Sequence, residues 1–117
     1  MPTIAIISQK GGAGKTTAAL LLASSLATTL GVHRRIRPEL VVVTGGYAGA
    51  PSGLVAAAMG TPLVLQEQNA WPGVTTRLLS RWATQIHLAF PEALAELPSR
   101  AGKVARVSGC PIRALPD

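Results

Sequence analysis

Thr3-Ile4-Ala5-Ile6-Ile7-Ser8-Gln9-Lys10-Gly11-Gly12-Ala13-Gly14-Lys15-Thr16-Thr17 is the stretch from which the fold class follows. Thr3, Ile4, Ile6 and Ile7 are β-branched, so residues 3–7 are expected to form a short strand. Gly11, Gly12 and Gly14 then release the chain into an apolar run that continues to Leu30. That run predicts a helix over about 14–30, with Gly31 as its stop. Strand, glycine loop and helix in immediate succession open a parallel α/β sheet.

The same alternation recurs downstream. Leu40 to Thr44 is apolar throughout, as a strand covered on both faces should be. Gly45 to Ala50 is a second glycine loop, and Pro51 to Met59 is a helix with proline in its first turn and Gly60 past its end. Further strands are expected at 63–66, 86–90 and 104–107, with helices over 72–84 and 91–97. In the 72–84 helix, Val74, Leu78, Leu79 and Trp82 share one face.

The expected architecture is therefore a single α/β domain over residues 1–117, Rossmann-like or P-loop-like. Its parallel five-stranded sheet of βα repeats is either three-layered or partly open. Residues 1–31 form the first β-α unit, 32–39 a basic connector ended by Pro38, and 40–117 the remaining repeats. Two strand orders are open. The order 1-2-3-4-5, with right-handed crossovers, places every helix on one face. It leaves the other face bare and apolar, which invites self-association. The order 2-1-3-4-5 covers more of that face.

Bulk composition narrows the partners. Apolar residues make up 48% of the chain but aromatics only 3%, so the core must be aliphatic. Eleven Lys and Arg against five acids give a net charge of +6, which attracts phosphate, nucleic acid or anionic lipid without choosing among them. Arg34, Arg35 and Arg37 form the one cluster, with Arg77 and Arg81 a helical turn apart. No aromatics interleave with them, so no sequence-specific nucleic acid contact is expected. Cys110 is the only cysteine, which excludes an internal disulfide and suits a reducing, cytoplasmic setting. The apolar run 17–31 follows two lysines like a signal peptide, but a strand and a glycine loop precede it, and it is too short to span a bilayer.

Lys10-Gly11-Gly12-Ala13-Gly14-Lys15-Thr16-Thr17 has the composition and context of a phosphate loop. Glycines let successive backbone N–H groups point inward, and the helix start adds partial positive charge. Lys15 can then reach the outer phosphates, and Thr16 is placed to ligate Mg²⁺. The plainer reading is a glycine-rich turn without a ligand. The loop, with Ser8-Gln9 before it, resembles the deviant P-loop of ParA/MinD-type ATPases over residues 1 to about 27. That resemblance implies ATP, or another phosphate ligand, with Mg²⁺. It makes Lys10 the signature lysine that reaches across a dimer. No later strand ends in Asp, so the metal lacks its usual carboxylate; Glu67 is the one acid at a strand end and the candidate substitute.

From about Arg34 the chain resembles a different family. Arg37-Pro38-Glu39-Leu40-Val41-Val42-Val43-Thr44-Gly45-Gly46-Tyr47, then Gly49-Ala50-Pro51, Glu67-Gln68-Asn69, Pro72-Gly73 and Gly109-Cys110-Pro111-Ile112-Arg113 follow one another in order. Together they are similar to the N-terminal domain of the MurG-type glycosyltransferases, over about residues 34–115. That family moves N-acetylglucosamine from UDP onto the lipid-linked muramyl-pentapeptide of peptidoglycan synthesis. The resemblance implies that Gly45, Gly46 and Tyr47 help cradle the acceptor's diphosphate, and that Asn69 sits near the reaction centre with Glu67 and Gln68 shaping its loop. Gln66 stands where the family usually has His. Lys15-Thr16 stand where the family's own first glycine loop ends in Gly and a catalytic His. Alone, Glu67-Gln68-Asn69 reads as a polar helix-capping loop. His33 reads as solvated in the connector, and His87 as a structural strand residue.

The two resemblances meet between Ala27 and Arg34, as in a hybrid of two βα units. The leading expectation is a phosphate- or nucleotide-binding domain without complete catalytic machinery. Two alternatives stand beside it: a weak ParA/MinD-like ATPase, and a non-functional fragment of a MurG-like transferase that keeps the acceptor half. Expected partners are nucleotide or phosphate, a second copy of the chain, and an anionic membrane met through Arg34, Arg35, Arg37 and the 72–84 helix. The expected location is cytoplasmic, peripheral to the inner membrane face.

Overall fold

The computed structural model describes residues 4–7 and 15–110, and side chains from Ser25 onward. Strand β1 (Ile4–Ile7) is followed by helix α1 (Lys15–Ile36), β2 (Leu40–Val43), α2 (Gly49–Met59), β3 (Leu63–Glu67), α3 (Val74–Leu79) and β4 (Gln85–Leu88). Two 3-10 turns, Pro91–Glu96 and Ala101–Lys103, lead into β5 (Ala105–Val107). The five strands are parallel and lie in strictly sequential order, β1-β2-β3-β4-β5. In register, Ile7 pairs with Val43, Val43 with Leu65, Leu65 with Ile86, and Leu88 with Val107.

Alternation along the strands divides the sheet into two unlike faces. Val41, Val43, Leu63, Leu65, Ile86 and Leu88 are each at most 1% exposed and form the core with Ala56, Leu79 and Ala93. Helix α2 lies against this face, with α1 packed beside it and α3 on its other flank. On the opposite face Leu40, Val42, Val64, Gln66 and His87 are only partly buried, and Gln85 is exposed. The sheet is thus the partly open version of the expected fold. Its open face is not uniformly apolar: Leu40, Val42 and Val64 give way to Gln66, Gln85, His87 and Arg106 toward β5.

Several expected boundaries are corrected. Helix α1 runs through Gly31 to Ile36, so Gly31 is not its stop and most of the 32–39 connector is helical. A glycine inside a helix costs only about 1 kcal/mol, too little to end one held by tertiary contacts. One such contact is His33, which is 8% exposed rather than solvated and bonds through Nε2 to Thr61 Oγ1 at 2.9 Å. The chain turns instead at Arg37, which adopts φ 47° and donates its N–H to the His33 carbonyl at 2.9 Å. The 72–84 helix shrinks to Val74–Leu79. The Ser80 hydroxyl donates to the Arg77 carbonyl at 2.7 Å, a local bond that competes with helix continuation. Of the expected shared face Leu79 is buried, Leu78 is partly buried, and Val74 and Trp82 are exposed.

Two glycine substitutions test this packing in opposite directions. A Cβ on Gly53 would collide with both Cδ atoms of fully buried Leu79. Gly53→Ala should therefore lower unfolding stability in urea by about 1–3 kcal/mol. Gly31, exposed within α1, has nothing within 4 Å of its would-be Cβ. Gly31→Ala should raise stability by about 0.5–1 kcal/mol, and a loss there would mean that α1 does not continue through that position.

Candidate functional site

Parallel strands in sequential order deliver their following loops to a single sheet edge. The β2–α2 loop, 44–48, and the β3–α3 loop, 68–73, are therefore neighbours, because Val43 pairs with Leu65 two residues before β3 ends at Glu67. Ligands of open α/β sheets sit at this carboxyl edge.

The first of these loops needs its glycines. Gly45 and Gly46 hold φ of 98° and 78°, a region costly to residues with a Cβ. The turn closes with Gly49 N–H donating to Gly46 O at 3.3 Å and Ala50 N–H to Tyr47 O at 3.2 Å. Gly49 is buried against the sheet, where a Cβ would stand 2.5 Å from Val43 Cγ1. That close approach brings the start of α2 directly onto the end of β2. No acid stands in the first turn of α2, and Tyr47 beside it is 46% exposed.

Glu67 organises the second loop. The carboxylate is only 4% exposed. Its Oε1 accepts from the Asn69 backbone N–H at 3.2 Å and from Asn69 Nδ2 at 3.1 Å, while Oε2 accepts from the Gly73 N–H at 3.3 Å. Both oxygens thus serve the loop that precedes α3, and through them Asn69 is held at the surface with its side-chain carbonyl free of Glu67. Of the expected capping loop Glu67-Gln68-Asn69, only the glutamate reaches the start of α3, where it bonds the N–H of the N-cap residue Gly73; no side-chain cap bond is made to the helix itself. Among the described residues no cluster of three His, Cys, Asp or Glu is arranged to hold a metal.

Adjacent Gln66 is the position where the resembled family usually has His. Its side chain lies on the opposite face from Glu67, and both its Nε2 and Oε1 are buried with no hydrogen-bond partner among the described residues. An unmet buried amide costs about 1–3 kcal/mol, which marks this position as one that gains from a polar partner. The sequence signal is a Gln that follows three apolar residues, one residue from the carboxyl end of the strand. His87, its cross-strand neighbour, is bonded at Nδ1 to Ser108 Oγ at 3.0 Å and at Nε2 to Gln85 Oε1 at 3.2 Å, a structural arrangement.

Of the candidate phosphate loop, Lys10, Gly11, Gly12, Ala13 and Gly14 lie outside the described residues. Lys15, Thr16 and Thr17 form the first turn of the 22-residue α1, which has no acid there. What the described geometry offers is a glycine turn and a helix start that can face an anion, beside a loop held in shape by a buried carboxylate.

The model of the glycosyltransferase family 28 N-terminal domain matches residues 4–88, across the junction at 27–34. A relative from Moorella thermoacetica is 51% identical over 80 residues, 68% of this chain and 21% of its own length. Another, from Desulforudis audaxviator, is 41% identical over 106 residues, 89% of this chain and 28% of its own. Both are named UDP-N-acetylglucosamine–N-acetylmuramyl-(pentapeptide) pyrophosphoryl-undecaprenol N-acetylglucosamine transferase. The crystal structure of Acinetobacter baumannii MurG superposes with a TM-score of 0.68 at 27% identity, covering 92% of this chain and 29% of that one. The chain thus spans about a quarter of the length of the relatives it matches.

Removing the carboxylate should undo the second loop. Glu67→Ala leaves three donors without their acceptor and should cost about 1–3 kcal/mol. Hydrogen exchange at the Asn69 and Gly73 amides should accelerate more than exchange in β2. Unchanged protection at both amides would show that the carboxylate does not hold the loop.

Proposed function

The chain belongs to the glycosyltransferase family 28 N-terminal domain family, and we propose on that premise that it binds the lipid-linked acceptor of a MurG-like N-acetylglucosaminyltransferase. The observation that carries this reading is the adjacency of the Gly45–Gly46–Tyr47 turn and the Glu67-ordered loop at one sheet edge. The acceptor in the relatives' name carries a pyrophosphoryl group. Backbone N–H groups at the glycine turn and the acid-free first turn of α2 suit that dianion. Asn69, fixed by Glu67, presents an amide beside it for sugar hydroxyls. Transfer itself is proposed only for the whole-length relatives, since this chain spans about a quarter of them.

Exposed Trp71 and Val74, with Arg77 and Arg81 on the same segment, support contact with an anionic membrane that would carry such a lipid. Arg34, Arg35 and Arg37 add charge, each basic group near such a surface contributing about 1 kcal/mol. No helix among the described residues is long and apolar enough to cross a membrane, so attachment is proposed as peripheral, on the cytoplasmic face. Self-association would fall on the half-exposed Leu40–Val42–Val64 strip.

A second reading keeps Lys10 to Thr17 as a site for ATP or another phosphate ligand with Mg²⁺. Its support is the start of α1 at Lys15, directly after the glycine loop. The family match across residues 4–88 favours the acceptor reading, because it needs no second donor for the first 27 residues.

Calorimetric titration separates the two. A short-prenyl, diphosphate-linked muramyl-pentapeptide should bind. Gly46→Ala, which places a Cβ at φ 78°, should weaken that binding about tenfold, the equivalent of the 1–2 kcal/mol left-handed penalty. Absence of heat with this acceptor would remove the proposal. Heat with ATP and Mg²⁺ that disappears in Lys15→Ala would install the nucleotide reading in its place.

A further inference from the structure

At the opposite end of the sheet from both loops, where β2 and β3 begin, the chain has a second feature, of which the membrane reading takes only the charge of Arg34 and Arg37. A pocket of about 410 Å³ opens there, lined by His33, Arg34, Arg37, Pro38, Met59 and Thr61. Two guanidinium groups, an imidazole and a hydroxyl line it, and no carboxylate does. Its volume lies within the roughly 300–1,000 Å³ range of small-molecule sites.

Basic residues in a last helical turn have an ordinary role, the pairing of their charge with the negative end of the helix. That role covers Arg34 and Arg35, which belong to the last turn of α1. It does not cover Arg37, which lies past the end of the helix at φ 47°. Among the described residues it is the only non-glycine with positive φ. Glycine is the residue this cap position favours, because it carries no Cβ to clash. A long charged side chain kept in a strained conformation points to work done by the side chain.

His33 gives the pocket a fixed wall. It is 8% exposed, and its Nε2 is held against Thr61 Oγ1 at 2.9 Å across 28 residues of sequence. The imidazole and hydroxyl are therefore pre-positioned, while Arg34 and Arg37 are exposed and can close from the rim. Guanidinium forks match the oxygens of a phosphate with paired, charge-assisted hydrogen bonds. Met59 and Pro38 supply apolar surface for whatever carbon the phosphate carries.

We propose that this pocket at the base of the sheet is a second anion site that takes a phosphate group, separate from the carboxyl-edge loops and independent of the acceptor reading. The phosphate belongs either to a soluble compound or to a lipid headgroup, and one experiment distinguishes these sources.

The full chain is titrated with inorganic phosphate at constant ionic strength while the His33 ring and Thr61 resonances are followed by NMR. Both should shift and saturate, and they should do so equally in Lys15→Ala and Gly46→Ala, whose sites lie elsewhere. Arg37→Gly is the decisive variant. It relieves the left-handed backbone, so thermal stability should stay level or rise, while phosphate affinity should fall at least about tenfold for loss of one charged hydrogen-bonding group. Arg37→Lys should fall between the two. In a parallel arm, phosphatidylcholine vesicles containing phosphatidic acid replace free phosphate. Arg37-dependent sedimentation with them, without saturable shifts from inorganic phosphate, supports the site with the headgroup as its source. Shifts that do not saturate together with Arg37-independent vesicle binding overturn it, as does unchanged phosphate affinity in Arg37→Gly.

Discussion

The pairing of β2 with β1 on one side and β3 on the other is the constraint from which the rest of the molecule follows. Val41 and Val43 must face α2 because the alternate residues, Leu40 and Val42, lie on the half-open face. A slip of one residue would exchange those two sets and expose the core. The same register decides where the chain leaves the sheet. It carries Gly45–Gly46–Tyr47 and Glu67–Asn69 to one edge, and Arg37 and Thr61 to the other. The domain therefore has two chemically distinct ends.

Polar groups within this frame divide into those that build the site and those that wait for something. Glu67 is buried, and its oxygens accept from Asn69 and Gly73, so it shapes the edge. Gln66, one residue earlier in the strand, is buried at its amide and has no hydrogen-bond partner among the described residues. One residue stiffens the loop, and its neighbour turns a polar side chain to the open face with no partner among the described residues. Binding geometry that is fixed before the ligand arrives costs less ordering when it does. The glycine turn contributes in the same way, since Gly45 and Gly46 already hold the backbone conformation that other residues resist.

Much of this is legible in the residues. The five strands fall within a residue or two of the short runs expected for them. The second glycine loop is equally readable, since a glycine pair between a strand and a proline-started helix fits little besides a tight turn. Gly31 misleads, because a breaker of about 1 kcal/mol is outweighed by contacts from far along the chain. His33 meeting Thr61 leaves no trace in any local pattern. Likewise the 72–84 helix is cut short by a Ser80 hydroxyl bond that periodicity does not register. Motif order places Asn69 in the loop after β3, but that Glu67 bonds both its backbone and its side chain is visible only in three dimensions. The hybrid reading of the first 27 residues rests on a short glycine motif. A family match extending through residues 4–88 accounts for the same stretch with one origin.

Strand order decides whether the two loops meet, and NMR contacts across the sheet measure it most directly. Cross-strand nuclear Overhauser effects should connect Val43 both to Ile7 and to Leu65, with slowly exchanging amides along β2. If residues 4–7 instead contacted Leu65, β1 would stand between β2 and β3. The two loops would then be separated by a strand, and the shared edge on which the acceptor site rests would not exist.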